Sequence, residues 1–439
     1  MTHSVRPTSG DERQRRAIVR SDCMLHSPAE SSLAVATQRR APWRLGIING
    51  SVGALDPQGR VAVHPALGRL LEALRERVPT ARVCMPILPE RQDNMTHLLN
   101  YPGDAIVRLP PLATTISAQR YYLQTRRTVR AFAAENDVLF IRLPFQLPLC
   151  LRGLGKPKVL QVLGNLVEVV RASSDYRGPA KILARWFARH SSQSIRRLVA
   201  EPQTRTVTHG QEVWQLLGCR HGRTVVSSCI FKAEMRPRED LRLGEPPRLL
   251  FVGYLRPEKG VETLLEAFGL LRQKRELKLT LVGGIDRRTG AGERIWQRIS
   301  ESPFRDDIRT TGAMDFGESL FDLYRSHDLF VLPSLSEGTP RTLVEARSFG
   351  CPVVATRVGG IPSSVEHGVD GLLVDPNDPA GLAVAIEQIL DDEPLRLRLI
   401  RAGIDRSQTR TLEAFAADLV DELEIVARES GHERQETPG

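Results

Sequence analysis

The feature that most constrains this chain is an alternation of strand-like and helix-like segments that runs twice. From Trp43, WRLGIING reads as a buried strand entering a loop with Gly50 and Gly53, and PALGRLLEALRERV follows with apolar residues at helical spacing. ARVCMPIL, DVLFIRLP and KVLQVLGN read as further strands. Between about Arg236 and Pro247 the sequence RPREDLRLGEPP sets three prolines among charges, which predicts an exposed linker. The alternation then restarts. RLLFVG, LKLTLVGG, HDLFVLPS and CPVVAT are strand-like, and GVETLLEAFGLLRQ, ESLFDLYRS and PRTLVEARSFG between them are helix-like.

Strands separated by helices imply parallel sheets with right-handed crossovers. The expected class is α/β, with two Rossmann-like, doubly wound parallel-sheet domains facing a central cleft. The expected boundaries are a disordered basic arm over 1–41, a first domain over 42–236, a linker over 237–247 and a second domain over 248–408. An amphipathic helix, TLEAFAADLVDELEIVAR, is expected within 409–429, and a disordered tail over 430–439. A length of 439 residues with 41% apolar content suits two cores of ordinary size.

The formal charge of +9 points to acidic partners such as nucleotides or phospholipid surfaces. With 5% aromatics and no interleaving of basic and aromatic residues, a single-strand nucleic-acid platform is not expected. The six cysteines are scattered without a C-x-x-C pair, so neither a zinc cage nor a redox dithiol is signalled, and a reducing cytoplasm is the expected compartment. The longest apolar run, VLFIRLPFQLPLC, is broken by Arg142 and two prolines, so a soluble or peripheral protein is expected.

In an open parallel sheet, ligands collect beyond the carboxyl ends of the strands. After RLLFVG comes YLRPEKG, where Arg256 and Lys259 could hold a diphosphate or form a solvated charged turn. After HDLFVLPS, the stretch SEGTPRTLVE places two glutamates eight positions apart. Thr339 is a natural N-cap and Pro340 suits the first helical position. Gly338 in the loop, Thr339, and the free N–H groups of Arg341 and Thr342 then make an anion site at the positive end of a helix. Glu337 could accept hydrogen bonds from sugar hydroxyls, and Glu345 could take a ribose diol. The alternative makes Glu337 an ordinary first-turn acid and Glu345 a surface residue. Gly359 and Gly360 could let a backbone approach a ligand closely, and His367 reads as a capping or surface histidine.

The ordered set FVGYLRPEKGVETLLEAF, LVGG, HDLFVLPSLSEGTPRTLVEA and FGCPVVATRVGGIPSSVEHGVDGLLV resembles the retaining glycosyltransferases of family 4, which have the GT-B fold. The resemblance covers about residues 246–392 closely and the first domain loosely. It implies transfer of a sugar from a nucleoside-diphosphate sugar, with the first domain binding a glycan or lipid-linked acceptor and the second the donor. Glu337 matches the residue that binds the donor sugar, Glu345 the one that binds the ribose, and Lys259 the lysine on the diphosphate. Gly53 matches the Gly-rich loop of the first domain. No metal and no cofactor beyond the donor are implied. Tyr254 stands where the family usually has Arg, with Arg256 two residues later as its substitute, and Leu163-Gly164 stands where many members have His-Gly.

The segments ISAQRYYLQTRRTVRAF and GPAKILARWFARHSSQSIRR mix basic, aromatic and aliphatic residues, and could lie on an anionic bilayer or pack on the domain core. The leading reading is an enzyme of surface polysaccharide or glycolipid synthesis, either cytoplasmic or peripheral at the inner face of the cytoplasmic membrane. A sugar phosphorylase of the same fold and a non-catalytic nucleotide-sugar-binding scaffold are the alternatives.

Overall fold

The computed structural model describes residues 43–112, 115–164, 167, 170, 179–287 and 289–431. The arm expected over 1–41 and all of the tail except Ser430 and Gly431 lie outside the described residues.

The first sheet contains β1 (Leu45–Asn49), β2 (Gly53–Leu55), β3 (Val61–Val63), β4 (Arg82–Leu88), β5 (His97–Leu98) and β6 (Ile106–Leu109). It continues with β7 (Val138–Leu143), β8 (Lys158–Val162), β9 (Thr204–His209) and β10 (Gly222–Val225). Their order is β10-β9-β8-β7-β1-β4-β2-β3-β5, with β6 also beside β4. Only β3 pairs antiparallel, with β2 and β5. Every residue of β1 and β8 is buried, because helices cover both faces of the sheet. The short strands β2, β3 and β5 have two or three residues each, too few to show a periodicity.

Helix α1 (Pro65–Arg77) starts where Pro65 follows His64, whose Nδ1 accepts the Ala66 N–H at 3.2 Å. It buries Leu67, Leu70, Leu71 and Leu74 at the spacing of one helical face. On the opposite face of the sheet, α2 (Tyr122–Ala134) buries Val129 and Phe132, and α3 (Pro179–Val199) buries Ile195 and Leu198.

The second sheet holds β11 (Arg248–Val252), β12 (Lys278–Val282), β13 (Ile308–Gly312), β14 (Leu329–Leu332), β15 (Val353–Thr356) and β16 (Leu372–Val374). The order is β13-β12-β11-β14-β15-β16 and all five pairings are parallel. Helices α4 (Val261–Arg272), α5 (Glu318–Ser326) and α6 (Arg341–Ser348) alternate with the strands, as the pattern predicts.

Two of the expected segments make contacts that the sequence did not indicate. The segment 237–247, expected to be an exposed linker, is pinned to the second lobe by the buried carboxylate of Asp328. That group accepts the N–H groups of Gly244 at 3.0 Å and Arg248 at 2.7 Å, and Nη1 of Arg238 at 3.4 Å. The C-terminal helix α7 (Leu412–Glu429) crosses back and buries Leu412, Phe415, Leu419, Leu423 and Val426 in the core of the first lobe, against α1. Glu422 on α7 is buried and accepts Nε of Arg205 at 2.6 Å and Nε of Arg223 at 2.7 Å, which ties the helix to β9 and β10.

Candidate functional site

The carboxyl ends of the two sheets meet at a cleft. A central cavity of about 370 Å³ takes Arg142, Gln161 and His209 from the ends of β7, β8 and β9. From the second lobe it takes Lys259, Glu337 and Glu345. A second cavity of about 660 Å³ shares Glu345 and Arg341 and runs over the ends of β11, β12 and β13, along Gly253, Gly283 and Met314. A third, of about 320 Å³, lies beyond the Lys259–Glu337 pair and reaches Glu212, Glu258 and Gly360. Glu345 and the Lys259–Glu337 pair thus mark the two joints of one elongated cleft.

Lys259 ends the 3-10 turn Pro257–Lys259 that follows β11, and Glu337 lies in the loop that follows β14. Lys259 Nζ donates to Glu337 Oε1 at 2.5 Å, and Ser334 Oγ donates to the same oxygen at 2.8 Å. Glu337 is not a first-turn acid, since α6 begins only at Arg341. Glu345, inside α6, is buried and accepts the Tyr324 hydroxyl at 2.9 Å. Burial pushes its carboxyl pKa up, against the opposing pull of Arg341 and Tyr324. Thr342 and the Arg341 side chain line both the central and the second cavity.

Several expected details change. Thr339 does not cap α6: Pro340 occupies the cap position without a side-chain cap bond, and the Thr339 hydroxyl is engaged by His209 Nδ1 at 3.0 Å. The hydroxyl serves the contact between lobes, so the helix starts one residue later than its sequence suggests. Gly359 and Gly360 approach the protein's own backbone. A Cβ on Gly359 would fall 1.8 Å from the Glu337 carbonyl oxygen, and the Gly360 N–H donates to the Gly338 carbonyl at 2.9 Å. Gly338 in turn lies against the Leu163 carbonyl oxygen, 2.8 Å from where a Cβ would stand. Arg256 is about half exposed, stacked over the Tyr254 ring at 5.1 Å and 3.8 Å from Glu258, and lines none of the three cavities. Gly53 lies within β2, packed beside Met85 and Val61, and lines none of them either. His367 is exposed and accepts the Leu373 N–H at 2.9 Å, a local structural contact.

Arg142, Gln161, His209 and Tyr324 line or support the cleft without having been singled out as site residues from sequence. The signal for Arg142 was a lone charge in the apolar strand VLFIRL. His209 is buried, and burial, followed by the charges of Arg142 and Arg341, lowers its pKa to about 3, so its imidazole is neutral. Among the described residues no group of three or more His, Cys, Asp or Glu side chains could hold a metal ion, the five described cysteines are free, and no helix is long and apolar enough to cross a membrane.

Two parallel doubly wound sheets with a cleft at their facing carboxyl ends define the GT-B class of fold. Among solved structures, sucrose-phosphate synthase from Thermosynechococcus elongatus has this fold at a TM-score of 0.69 and 20% identity, covering 89% of this chain and 100% of that one. Anabaena HepE in complex with UDP-glucose follows at a TM-score of 0.60 and 18% identity, covering 89% and 100%. Residues 234–406 match the model of the glycosyl transferases group 1 family. D-inositol 3-phosphate glycosyltransferase of Pseudarthrobacter chlorophenolicus is 35% identical over 188 residues, 42% of this chain and 44% of that protein. Its namesake from Thermobispora bispora is 34% identical over 228 residues, 49% and 52% of the two chains. The chain spans about half the length of the curated relatives it matches.

Proposed function

We propose that the protein is a retaining glycosyltransferase that moves a sugar from a nucleoside-diphosphate sugar to an acceptor hydroxyl. The observation that carries this reading is the placement of Glu345, Lys259 and Glu337 along one cleft at the carboxyl ends of parallel strands. In this reading the base lies over the ends of β11 to β13, the ribose on Glu345, the diphosphate between Lys259 and the start of α6, and the sugar near Glu337. The incoming diphosphate draws Lys259 from Glu337 and frees that carboxylate for sugar hydroxyls.

Transfer then needs no protein nucleophile. The bond between the anomeric carbon and the phosphate oxygen breaks, the acceptor oxygen bonds to the same face, and the acceptor proton passes to the departing phosphate oxygen. Charge growing on that phosphate meets Lys259 and the positive end of α6, so the step requires no metal ion. Arg256, exposed in this structure, is assigned no contact with the donor here.

HepE was solved with UDP-glucose, which makes UDP-sugars the first donors to test. The names of the relatives and of the synthase carry a phosphorylated cyclitol and a phosphorylated sugar, which favours a polar hydroxyl-bearing acceptor on the first lobe. A lipid-linked acceptor at the inner face of the membrane is supported by a second observation. The first half of α3 leaves Ile182, Leu183 and Trp186 exposed beside Arg185 and Arg189, and Leu149 and Leu123 are exposed on the neighbouring turn and α2.

The test is a thermal-shift screen against UDP-, GDP-, ADP- and dTDP-sugars, with and without EDTA. A ligand at a hundred times its dissociation constant stabilises by about 2.7 kcal/mol, a shift of several degrees. A selective shift that survives EDTA and is absent in Glu345→Ala supports the reading. No shift with any nucleotide sugar at millimolar concentration would abandon it for a non-catalytic scaffold.

A further inference from the structure

The second cavity takes a wall from each lobe. On the first-lobe side stand His64 and Pro65 at the start of α1, and on the second-lobe side Met314, Asp315 and Phe316 in the loop between β13 and α5. Arg69, one turn into α1, connects the two walls. Its guanidinium carbon lies 5.1 Å from the centre of the Phe316 ring and 4.5 Å from that of Phe231. Both distances fall in the range over which a guanidinium is attracted to the face of an aromatic ring.

The rest of the Arg69 side chain is fixed where the chain first crosses between the lobes. Ile230 belongs to the core of the second lobe, and the next residue, Phe231, packs on the core of the first. Here Arg69 Nε donates to the Cys229 carbonyl at 2.9 Å, and Nη2 donates to Glu234 Oε2. The same carboxylate oxygen accepts the Phe231 N–H at 2.8 Å. The Ile230 carbonyl accepts the Leu412 N–H at 2.8 Å, so the return crossing into α7 runs alongside. Short crossing segments of this kind are where a rotation between lobes is absorbed. Directional hydrogen bonds therefore tie Arg69 to the hinge, while its contact with Phe316 reaches into the second lobe.

Phe316 also meets Phe321 of α5 edge to face, with ring centres 5.3 Å apart. The N–H groups of Leu320 and Phe321 both donate to the Gly317 carbonyl at 3.0 Å and form the first turn of α5. Displacing Phe316 would thus loosen the cavity wall and that turn together.

We propose that Arg69 is a positioning residue that seats Phe316, and with it the loop 313–317, and so sets the gap between the two walls of the second cavity. That this gap holds the base of a nucleotide rests on the nucleotide-sugar reading, whereas the seating of the loop does not. Arginine suits the role because its planar group can give hydrogen bonds from its edge and offer its face to a ring; a lysine ammonium is a compact point charge.

The test compares the full-length wild type, Arg69→Lys, Phe316→Leu and the double variant. Each is titrated calorimetrically with UDP, GDP, ADP and dTDP, and hydrogen–deuterium exchange at Leu320 and Phe321 is followed without ligand. Arg69→Lys and Phe316→Leu should each weaken the nucleotide that wild type binds by about fivefold or more, as expected for the loss of a partly buried cation–ring contact. The double variant should be no weaker than the weaker single variant by more than about twofold, because both remove one contact. Exchange at Leu320 and Phe321 should quicken in both single variants. A purely structural role through the ion pair with Glu234 gives another pattern: Arg69→Lys binds within twofold of wild type, or the two effects multiply, and either result overturns the proposal. Phe316→Leu leaves the bonds at the crossing in place, so it carries the test if the melting midpoint of Arg69→Lys collapses. If wild type binds none of the four nucleotides, the nucleotide-sugar reading fails by itself. Exchange in the ligand-free proteins then decides the role of Arg69, and unchanged rates at Leu320 and Phe321 overturn it.

Discussion

Lys259 Nζ lies 2.5 Å from Glu337 Oε1, and the Ser334 hydroxyl holds the same oxygen from the other side. The contact joins the loops after β11 and β14, two strands adjacent in the sheet although 78 residues separate the partners. Each group holds the other in position, so this part of the cleft is assembled before any ligand arrives.

Replacing Lys259 by Ala removes the cation that the proposed mechanism sets against the departing diphosphate. A single preorganised donor of this kind is worth roughly 3 to 4 kcal/mol, so turnover of the nucleotide sugar should fall by about two to three powers of ten. Product formation under saturating donor measures it. A loss smaller than fivefold would remove Lys259 from the role.

Tyr324→Phe takes from the buried Glu345 carboxylate the hydroxyl that donates to it at 2.9 Å. An unsatisfied buried acceptor costs about 1 to 3 kcal/mol, so the melting midpoint should drop by several degrees. Calorimetry on the two proteins decides it, and equal midpoints would mean that water replaces the hydroxyl without loss.

Glu422→Ala strips the carboxylate shared by Arg205 and Arg223 from beneath α7. The arginines are partly exposed, so the cost is smaller than for a fully buried pair, about 1 to 3 kcal/mol. Chemical denaturation should report it as a lower midpoint. A variant as stable as the wild type would show that hydrophobic packing alone docks the helix.

Histidine burial sets an acid limit. His209 is held to a pKa of about 3 and His327 to about 4, chiefly by burial, against 6.5 for an unperturbed histidine. Below pH 6.5 the unfolded chain binds protons that the native state refuses, so stability is complete above that pH and is lost as pH falls from 6.5 toward 4. Each such group contributes up to ~1.4 kcal/mol per pH unit. Melting midpoints recorded from pH 8 to 4.5 should therefore fall on the acid side, and His209→Gln should fall less steeply. Parallel slopes for the two proteins would exclude His209 as a contributor.

Leu183→Ser combined with Trp186→Ser alters only exposed side chains of α3. Co-sedimentation with vesicles containing phosphatidylglycerol should drop at least fivefold, with an unchanged melting midpoint. Binding of the wild type should also weaken in high salt, as expected when basic residues contact an anionic surface. Wild-type sedimentation no greater than with pure phosphatidylcholine would assign the exposed face no role on anionic membranes.

Much of this molecule is local information. The apolar runs RLLFV, KLTLV and LFVL are strands because a sheet covered on both faces needs continuous apolar segments, and each helix between them shows one apolar face. Lys259, Glu337 and Glu345 were legible for the same reason: each sits at a fixed offset from a strand end, and parallel strands deliver their carboxyl ends to one edge. Contacts between distant segments were not legible. Thr339 has the chemistry of a helix cap, yet closure of the lobes brings it to His209, 130 residues away, and the hydrogen bond between lobes takes its hydroxyl. Arg142 could be seen as a charge in a strand, but only the packing of β7 between β8 and β1 gives it Gln161 and Asn49 as partners. Periodicity reports which face of a segment avoids water. Which side chains from separate segments meet there is decided by the packing of the two lobes and by the return of α7 to the first.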